Sequence, residues 1–336
     1  MSLQLIDIIC PVFREERGIM AFHDRLVAVL DVLAGSYAFH IIYVVDPAGD
    51  RTEEVLAAIA ARDRRVEVLV MSRRFGHQTC LMAGLDLSRG AAAIMLDSDQ
   101  QHPPELIPVL LRNWEEGVEI VQTIRGETSE TGLLKRLTSR WFYQLYRRLG
   151  SMDLPVGAAD FRLLGQPVVQ LFRTKLREQN PFLRGLVHWV GFNIRYVAFE
   201  PEARPFGRSA YRPLTLLKFA LNGWCSFSKT PLRICVITGL ALAVLAAIAT
   251  VLQVFVYMSG HADVPGWLTL IVVTTFLGGV QLVFLGVIGE YVGLIFDEVK
   301  ARPRYIVQQH YHSRDVPATA ERTKGPSDES VGVHTL

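Results

Sequence analysis

The chain has 336 residues, with 35 Lys and Arg against 33 Asp and Glu for a formal charge of +2; that balance excludes the basic stripe by which proteins hold nucleic acid. Half of the residues are hydrophobic and mean hydropathy is +0.25, with the excess gathered after Pro231, which excludes a wholly soluble chain and divides it into a soluble part followed by a membrane part. Cys10, Cys80, Cys225 and Cys235 show no C-x-x-C spacing, which excludes a zinc ribbon or a disulfide framework and fits a reducing, cytosolic setting for the soluble part.

From the start of the chain, residues 5–9 read as a buried strand, too short and too soon broken by Pro11 to be a signal peptide. Leu26, Val29, Leu30 and Leu33 give a helical pattern. Residues 39–45 form a second β-rich run, 53–61 a helix, 66–70 a third strand, 79–87 a helix and 92–96 a fourth strand. This alternation predicts an α/β domain with a mostly parallel sheet and helices on both faces. Such sheets bind ligands beyond the carboxyl ends of their strands, where the polar clusters fall: Arg14-Glu15-Glu16, 46–50, Ser72-Arg73-Arg74 and 97–101. Residues 105–116 continue as a helix, 119–123 as a strand and 135–149 as an amphipathic helix. Asp160 opens a new segment, and 192–199 is a late strand.

Residues 234–257 carry no charge over a length that crosses a bilayer core, and residues 267–288 form a second such run. Each is apolar all round, with no polar stripe to face water. Lys229 and Arg233 precede the first run, Lys300, Arg302 and Arg304 follow the second, and the intervening loop has Asp263 but no Lys or Arg. The positive-inside bias therefore predicts a two-span hairpin in the inner membrane with both outer flanks, and the catalytic domain, in the cytoplasm. Residues 213–229 mix leucines with Lys218 and Lys229, as an interfacial helix or a soluble docked helix would. The resulting plan is a catalytic domain over 1–212, a juxtamembrane amphipathic segment over 213–232, the hairpin over 233–290, a cytoplasmic return over 291–312 and a disordered tail over 313–336.

The strongest chemical signal is Asp97-Ser98-Asp99-Gln100-Gln101 directly after an apolar strand. Two carboxylates one residue apart at a strand end suit Mg²⁺ or Mn²⁺, hard cations that bridge diphosphate oxygens and offset charge on a leaving nucleotide. Asp46 and Asp50 also follow a strand, where the Asp-Pro-Ala-Gly-Asp string equally makes a turn. Arg73, Arg74, Arg125 and Arg204 are phosphate-clamp candidates, because guanidinium matches phosphate bidentately. Arg204, Arg208, Ser209 and Arg212 lie just ahead of the membrane-proximal stretch, where they are placed to hold a lipid phosphate. The nine His residues are read as forming no ligand cluster, with His310 and His312 on a solvated terminal strand. P-loop, G-x-G-x-x-G and G-x-S-x-G motifs are absent.

Several strings share a family pattern: Cys10-Pro-Val-Phe-Arg-Glu-Glu, Val44-Val-Asp-Pro-Ala-Gly-Asp-Arg-Thr, Ser72-Arg-Arg-Phe-Gly, Met82-Ala-Gly, Asp97 to Glu105, Asp160-Phe-Arg-Leu, Gly289-Glu-Tyr-Val-Gly and Arg302-Pro-Arg-Tyr. In order and spacing, from about residue 5 to residue 310, they resemble the polyprenyl-phosphate glycosyltransferases, relatives of dolichol-phosphate mannose synthase in the GT-A, family-2 group. The bacterial membrane enzymes that load glucose or an aminoarabinose derivative onto undecaprenyl phosphate look most similar. The resemblance implies a GT-A domain that transfers a sugar, with inversion, from a UDP- or GDP-linked donor to polyprenyl phosphate in the membrane. It implies that Pro11, Phe13, Glu15 and Asp46 hold the nucleoside. Asp97, Ser98, Asp99, Gln101 and Arg125 would serve donor and diphosphate, with Asp97, Asp99 and Gln101 at the metal. Arg204 would contact a phosphate. Asp160 matches the base proposed in relatives, although a lipid phosphate is already anionic and scarcely needs one. Relatives with two spans can be tetramers, so the resemblance admits a homo-oligomer and leaves the oligomeric state open. Three positions depart from the pattern: Val45 for an Asp, Ala210 for a Lys and Arg14 for an Asn. They suggest a subgroup with altered donor choice. Two rival readings remain: a processive polysaccharide synthase, whose Q-x-x-R-W has Leu137 in place of Gln ahead of Arg140-Trp141, and a non-catalytic lipid-carrier scaffold motivated by Val45 and Ala210.

Overall fold

A computed structural model describes residues 3–126, 157–202, 230–259 and 266–312. The expected helices at 135–149 and 213–229, Arg140 and Trp141, the group Arg204, Arg208, Ser209, Ala210 and Arg212, and the tail from Ser313 lie outside the described residues. The chain divides into two compact units, one formed by Met1–Ser139, Met152–Ala210 and Arg302–Leu336, the other by Arg140–Ser151 and Tyr211–Ala301.

In the first unit the alternating pattern resolves as β1 (Gln4–Val12), α1 (Ile19–Leu33), β2 (Tyr37–Val45), α2 (Thr52–Arg62), β3 (Val66–Met71), α3 (His77–Leu87) and β4 (Ala92–Met95). A short 3₁₀ turn at Pro104–Leu106 leads into α4 (Ile107–Glu115) and β5 (Ile120–Arg125). Then come β6 (Ala158–Gly165), α5 (Gln166–Thr174), α6 (Leu183–Trp189), β7 (Ile194–Phe199) and, far along the chain, β8 (Val307–His312). The eight strands form one sheet in the order β7-β5-β6-β4-β1-β2-β3-β8. β1 to β4 pair in parallel, as do β5 and β7, while β6 and β8 run antiparallel to their neighbours.

The central strands are buried along almost their whole length, which is why they read as continuous apolar runs and not as alternations. One face packs Ile6, Ile8, Ile41, Tyr43 and Val45 against Phe22, Leu26 and Leu30 of α1 and Leu56 of α2. On the other, α3 lies so close to β1 that a Cβ at Gly84 would sit 2.2 Å from Ile9 Cγ2. Val45, one of the three departures from the family pattern, is 3% exposed and belongs to this apolar core.

The second unit contributes α7 (Thr230–Met258) and α8 (Trp267–Lys300). Their apolar stretches, Leu232–Val256 and Val272–Lys300, have mean hydropathies of 2.6 and 2.0 and none of either is buried. By length and composition both suit a bilayer core of about 30 Å. The sequence reading ended the second run at residue 288, whereas α8 continues to Lys300 and stops at Ala301, whose left-handed backbone (φ 44°) closes the helix. Within 291–312, expected as a cytoplasmic return segment, the structure places the last turns of α8 and then the edge strand β8.

Candidate active site at the carboxyl rim of the sheet

β1, β2, β3 and β4 end on one rim, and the loops that leave them hold residues 13–18, 46–51, 72–76 and 96–103. β5 and β7 end on the same rim, with Arg125 paired to Phe199. β6 begins there: Met95 pairs with Arg162, and the register continued by two residues sets Asp97 opposite Asp160. Two acids separated by about sixty residues of sequence are thereby brought together by strand pairing.

Two of these loops hold backbone in the left-handed region at residues with side chains, Arg14 (φ 60°) and Gln100 (φ 63°). Such conformations are costly and concentrate at functional sites. They are held by cross-links: Ser98 Oγ donates to the Pro11 carbonyl at 3.0 Å, and Gln100 Nε2 to the Gly18 carbonyl at 3.3 Å. Ser98 and Pro11, both expected to touch the donor, are buried and brace β4 against β1. The Glu15 N–H donates to Thr52 Oγ1, whose hydroxyl donates to Asp50.

Asp46 is 4% exposed. Its two oxygens accept the N–H groups of Phe75 (2.7 Å) and Gly76 (3.1 Å), where Gly76 at φ 95° lets the chain turn into α3. Asp46 therefore shapes the 72–76 loop, and a carboxylate has further lone pairs for a ligand. Above it, the Arg74 guanidinium stacks 4.3 Å from the Phe13 ring centroid, which joins an aromatic face, a cation and an acid at one end of the rim.

At the other end Asp97 Oδ1 meets His77 Nε2 at 2.8 Å, and Oδ2 lies 3.5 Å from His102 Nδ1. Burial opposes charge on Asp97, but His77 and His102 overcome it and hold the carboxyl at about 2. Burial likewise opposes charge on His77, and Asp97 with Asp160 pushes it up to about 9, so the imidazole is a cation at neutral pH. His102 is fully buried, stacked on Phe161 and edge-on to Phe199, and burial draws its pKa below the ordinary imidazole value against the opposing pull of Asp97 and Asp99. Arg125 Nη2 approaches its far nitrogen at 3.4 Å. The Gln101 N–H donates to Asp99 Oδ1 at 3.1 Å.

Asp160 is enclosed by two arginines. Arg184 donates from Nε and Nη2 to its two oxygens (3.0 and 2.7 Å), and Arg162 from Nη2 to Oδ1 (2.7 Å). Burial opposes ionisation, yet Arg184, Arg162 and His77 hold the carboxyl well below the usual carboxylate range. A carboxylate so stabilised is a poor proton acceptor. Arg162 is itself fully buried, and burial brings it down to about 10 against the support of Asp160.

Oxygen donors one residue apart at a strand end fit a small hard cation, whose coordination phosphate oxygens and water would complete. A cation on Asp97 would have to share that carboxylate with His77. Sequence reasoning did not assign His77, His102, Arg162 or Arg184. Arg162 lies inside the Asp160-Phe-Arg-Leu string, His102 inside the string from Asp97 to Glu105, and His77 directly follows Ser72-Arg-Arg-Phe-Gly. No local signal marks Arg184, which reaches Asp160 from α6.

A mostly parallel sheet with clustered acids on its carboxyl rim, followed by two helices long and apolar enough to cross a membrane, is the layout of a GT-A glycosyltransferase with a C-terminal pair of apolar helices. The chain belongs to glycosyl transferase family 2: that family's model matches residues 7–171, and a second model, the GtrB C-terminal hairpin, matches residues 230–295. It is 36% identical over 304 residues to an uncharacterised glycosyltransferase of Bacillus subtilis, YkcC, covering 90% of this chain and 93% of that one. To a prophage-derived bactoprenol glucosyl transferase of Shigella flexneri it is 35% identical over 306 residues, 91% and 98% of the two chains. A prophage bactoprenol glucosyl transferase homolog of Escherichia coli is 36% identical over 304 residues, 90% and 98% of the two chains. The chain is a glycosyltransferase.

Proposed function

We propose that this enzyme transfers a sugar from a nucleotide-sugar to polyprenyl phosphate, with inversion at the anomeric carbon. The observation that carries the reading is likeness to bactoprenol glucosyl transferases over 91% of the chain, with Asp97, Asp99 and Asp160 retained at the sheet rim. Phe13, Glu15, Asp46 and Arg74 would hold the nucleoside. Asp97, Asp99 and Gln101 would hold Mg²⁺ or Mn²⁺, which when bound offsets charge on the departing nucleotide diphosphate. Arg125 would contact donor phosphate, and Arg204, Arg208, Ser209 and Arg212 the lipid phosphate. Asp160, fixed by Arg162 and Arg184, would present a permanent negative charge toward the sugar carbon as it becomes electron-poor. Preorganised charge of this kind costs no reorganisation during reaction. The acceptor phosphate is already ionised, so the step requires positioning more than proton removal.

The flanking charges support a topology in which 1–212 and 291–312 lie in the cytoplasm and 233–290 cross the inner membrane, with 213–232 at its surface and 313–336 as a tail; self-association as a tetramer belongs to the same reading. The test is to incubate full-length protein in detergent with polyprenyl phosphate, each of a panel of UDP- and GDP-sugars, and Mg²⁺ or Mn²⁺. Release of the nucleoside diphosphate together with a lipid-linked sugar is expected with at least one donor, and only with metal and lipid both present. Failure with every donor would favour a non-catalytic carrier-binding scaffold.

A further inference from the structure

A line of polar side chains crosses four strands at the end of the sheet away from the rim loops. Asp7 on β1 pairs with His40 on β2, and Glu67 on β3 pairs with His312 on β8. His40 bridges the two acids, with Nδ1 2.8 Å from Asp7 Oδ1 and Nε2 2.7 Å from Glu67 Oε2. Asp7 is anchored in turn by Ser88 Oγ and by the N–H groups of Arg89 and Gly90. Glu67 Oε2 is therefore fixed from within the protein. Two imidazole nitrogens aim at its other oxygen, Oε1: His310 Nε2 at 2.5 Å and His312 Nε2 at 3.3 Å. His310 and His312 stand two residues apart on one strand face, each about two-fifths exposed, while Glu67 is 4% exposed.

We propose that Glu67, His310 and His312 form a site for a transition-metal dication, zinc by donor preference, that fastens β8 to β3. Three ligand atoms, one from each residue, lie within 4.8 Å of one another. Two imidazoles and one carboxylate suit zinc, whereas an all-oxygen set suits magnesium. With bonds of about 2.1 Å and tetrahedral angles, ligand atoms stand about 3.4 Å apart. His312 and Glu67 already hold that separation, and His310 reaches it by backing away from Oε1 by about 0.9 Å. Water from the exposed side would take the fourth position. Ligating groups are commonly oriented by a further hydrogen-bonded layer, and the Asp7–His40 pair supplies one here. The site is distinct from the acids of the rim. Glu67 lies at the amino end of β3, about 13 Å of strand from Met71 at the rim. It also stands apart from the proposed sugar transfer, because none of its residues is assigned to donor, acceptor or rim metal.

The test uses full-length protein in detergent with no polyhistidine tag, stripped with chelator and then gel-filtered after exposure to Zn²⁺. Elemental analysis is expected to find about one zinc per chain. Asp99→Asn should retain it, and His310→Gln and His312→Ala should each lose it. Zinc should raise the melting temperature of the wild type and leave that of His312→Ala unmoved. Co²⁺ in place of zinc should give the visible absorption of a tetrahedral site in the wild type only. The inference is overturned if the stripped wild type takes up no zinc, or if both histidine variants bind as much as the wild type. It is also overturned if Asp99→Asn alone loses the metal, since that would locate it at the rim.

Discussion

Replacing Asp160 by Asn keeps the shape of the side chain and removes its charge, so it tests whether this acid serves the fold, the reaction or both. In the structure the Asp160 carboxylate is the counter-charge of Arg162, a fully buried guanidinium whose Nε and Nη1 find no hydrogen-bond partner among the described residues. Arg162 Nη2 also donates to the Ala159 carbonyl, at 3.0 Å. Removing one partner of a buried pair strands the other, at a cost of about 3–5 kcal/mol. At about 2–4 °C per kcal/mol for a domain of this size, the melting temperature should fall by about 6–20 °C. Thermal unfolding in detergent, followed by circular dichroism or a thiol-reactive dye at buried Cys10 and Cys80, reads the shift. The double variant Asp160→Asn, Arg162→Met removes the stranded charge and should recover most of the stability while sugar transfer stays depressed by more than about 100-fold, or ~3 kcal/mol in the barrier. An unchanged melting temperature in the single variant would refute the pairing argument. Recovery of both stability and transfer in the double variant would reduce Asp160 to the keeper of Arg162.

Asp99→Ala should abolish metal-dependent nucleotide binding, measured by calorimetry with and without Mn²⁺; unchanged donor affinity and turnover would remove the rim metal from this residue. Gly84→Ala should destabilise by about 1–3 kcal/mol through overpacking, because the added methyl meets Ile9, and denaturant unfolding would detect it. Burial opposes ionisation of Asp7, but His40, Ser88 and the Gly90 N–H outweigh it and lower its pKa. A folded pKa below the unfolded value of about 3.9 gives stability that is complete above that pH and is lost as pH falls below it. Melting temperature should therefore drop steeply on acidification below about pH 4, and Asp7→Asn should flatten that limb. Ser259→Cys, at the end of α7, should react with a membrane-impermeant maleimide added outside intact cells, and labelling confined to the cytosolic side would contradict the hairpin.

The parallel core was legible because each strand buries both faces and is coded by an unbroken apolar run, as in residues 41–45, between helices with 3.6-residue periodicity. The rim acids were legible because they follow those runs directly. The partners of the acids were not, since Asp97 meets Asp160 through an antiparallel strand inserted beside β4 and Arg184 comes from a short helix with no motif. α5 and α6 were missed for the same reason: at nine and seven residues they offer too few turns to show a period. The reading of the histidines needs correction. His310 and His312 do lie on a terminal strand, but with Glu67 they form a cluster suited to a metal. What hid it is sequence distance, because Glu67 lies 243 residues from His310.

β8 has a consequence for how the chain is made. The strand that covers β3 is translated after both long apolar helices, so a ribosome emits the whole parallel core, then the hairpin, and only then the piece that seals the outer margin. Until residue 312 emerges, β3 presents a row of bare N–H and C=O groups of the kind that recruits foreign strands. Completion of the catalytic sheet is therefore ordered behind synthesis of the two long apolar helices, and a product that stops short of β8 would carry its own adhesive edge.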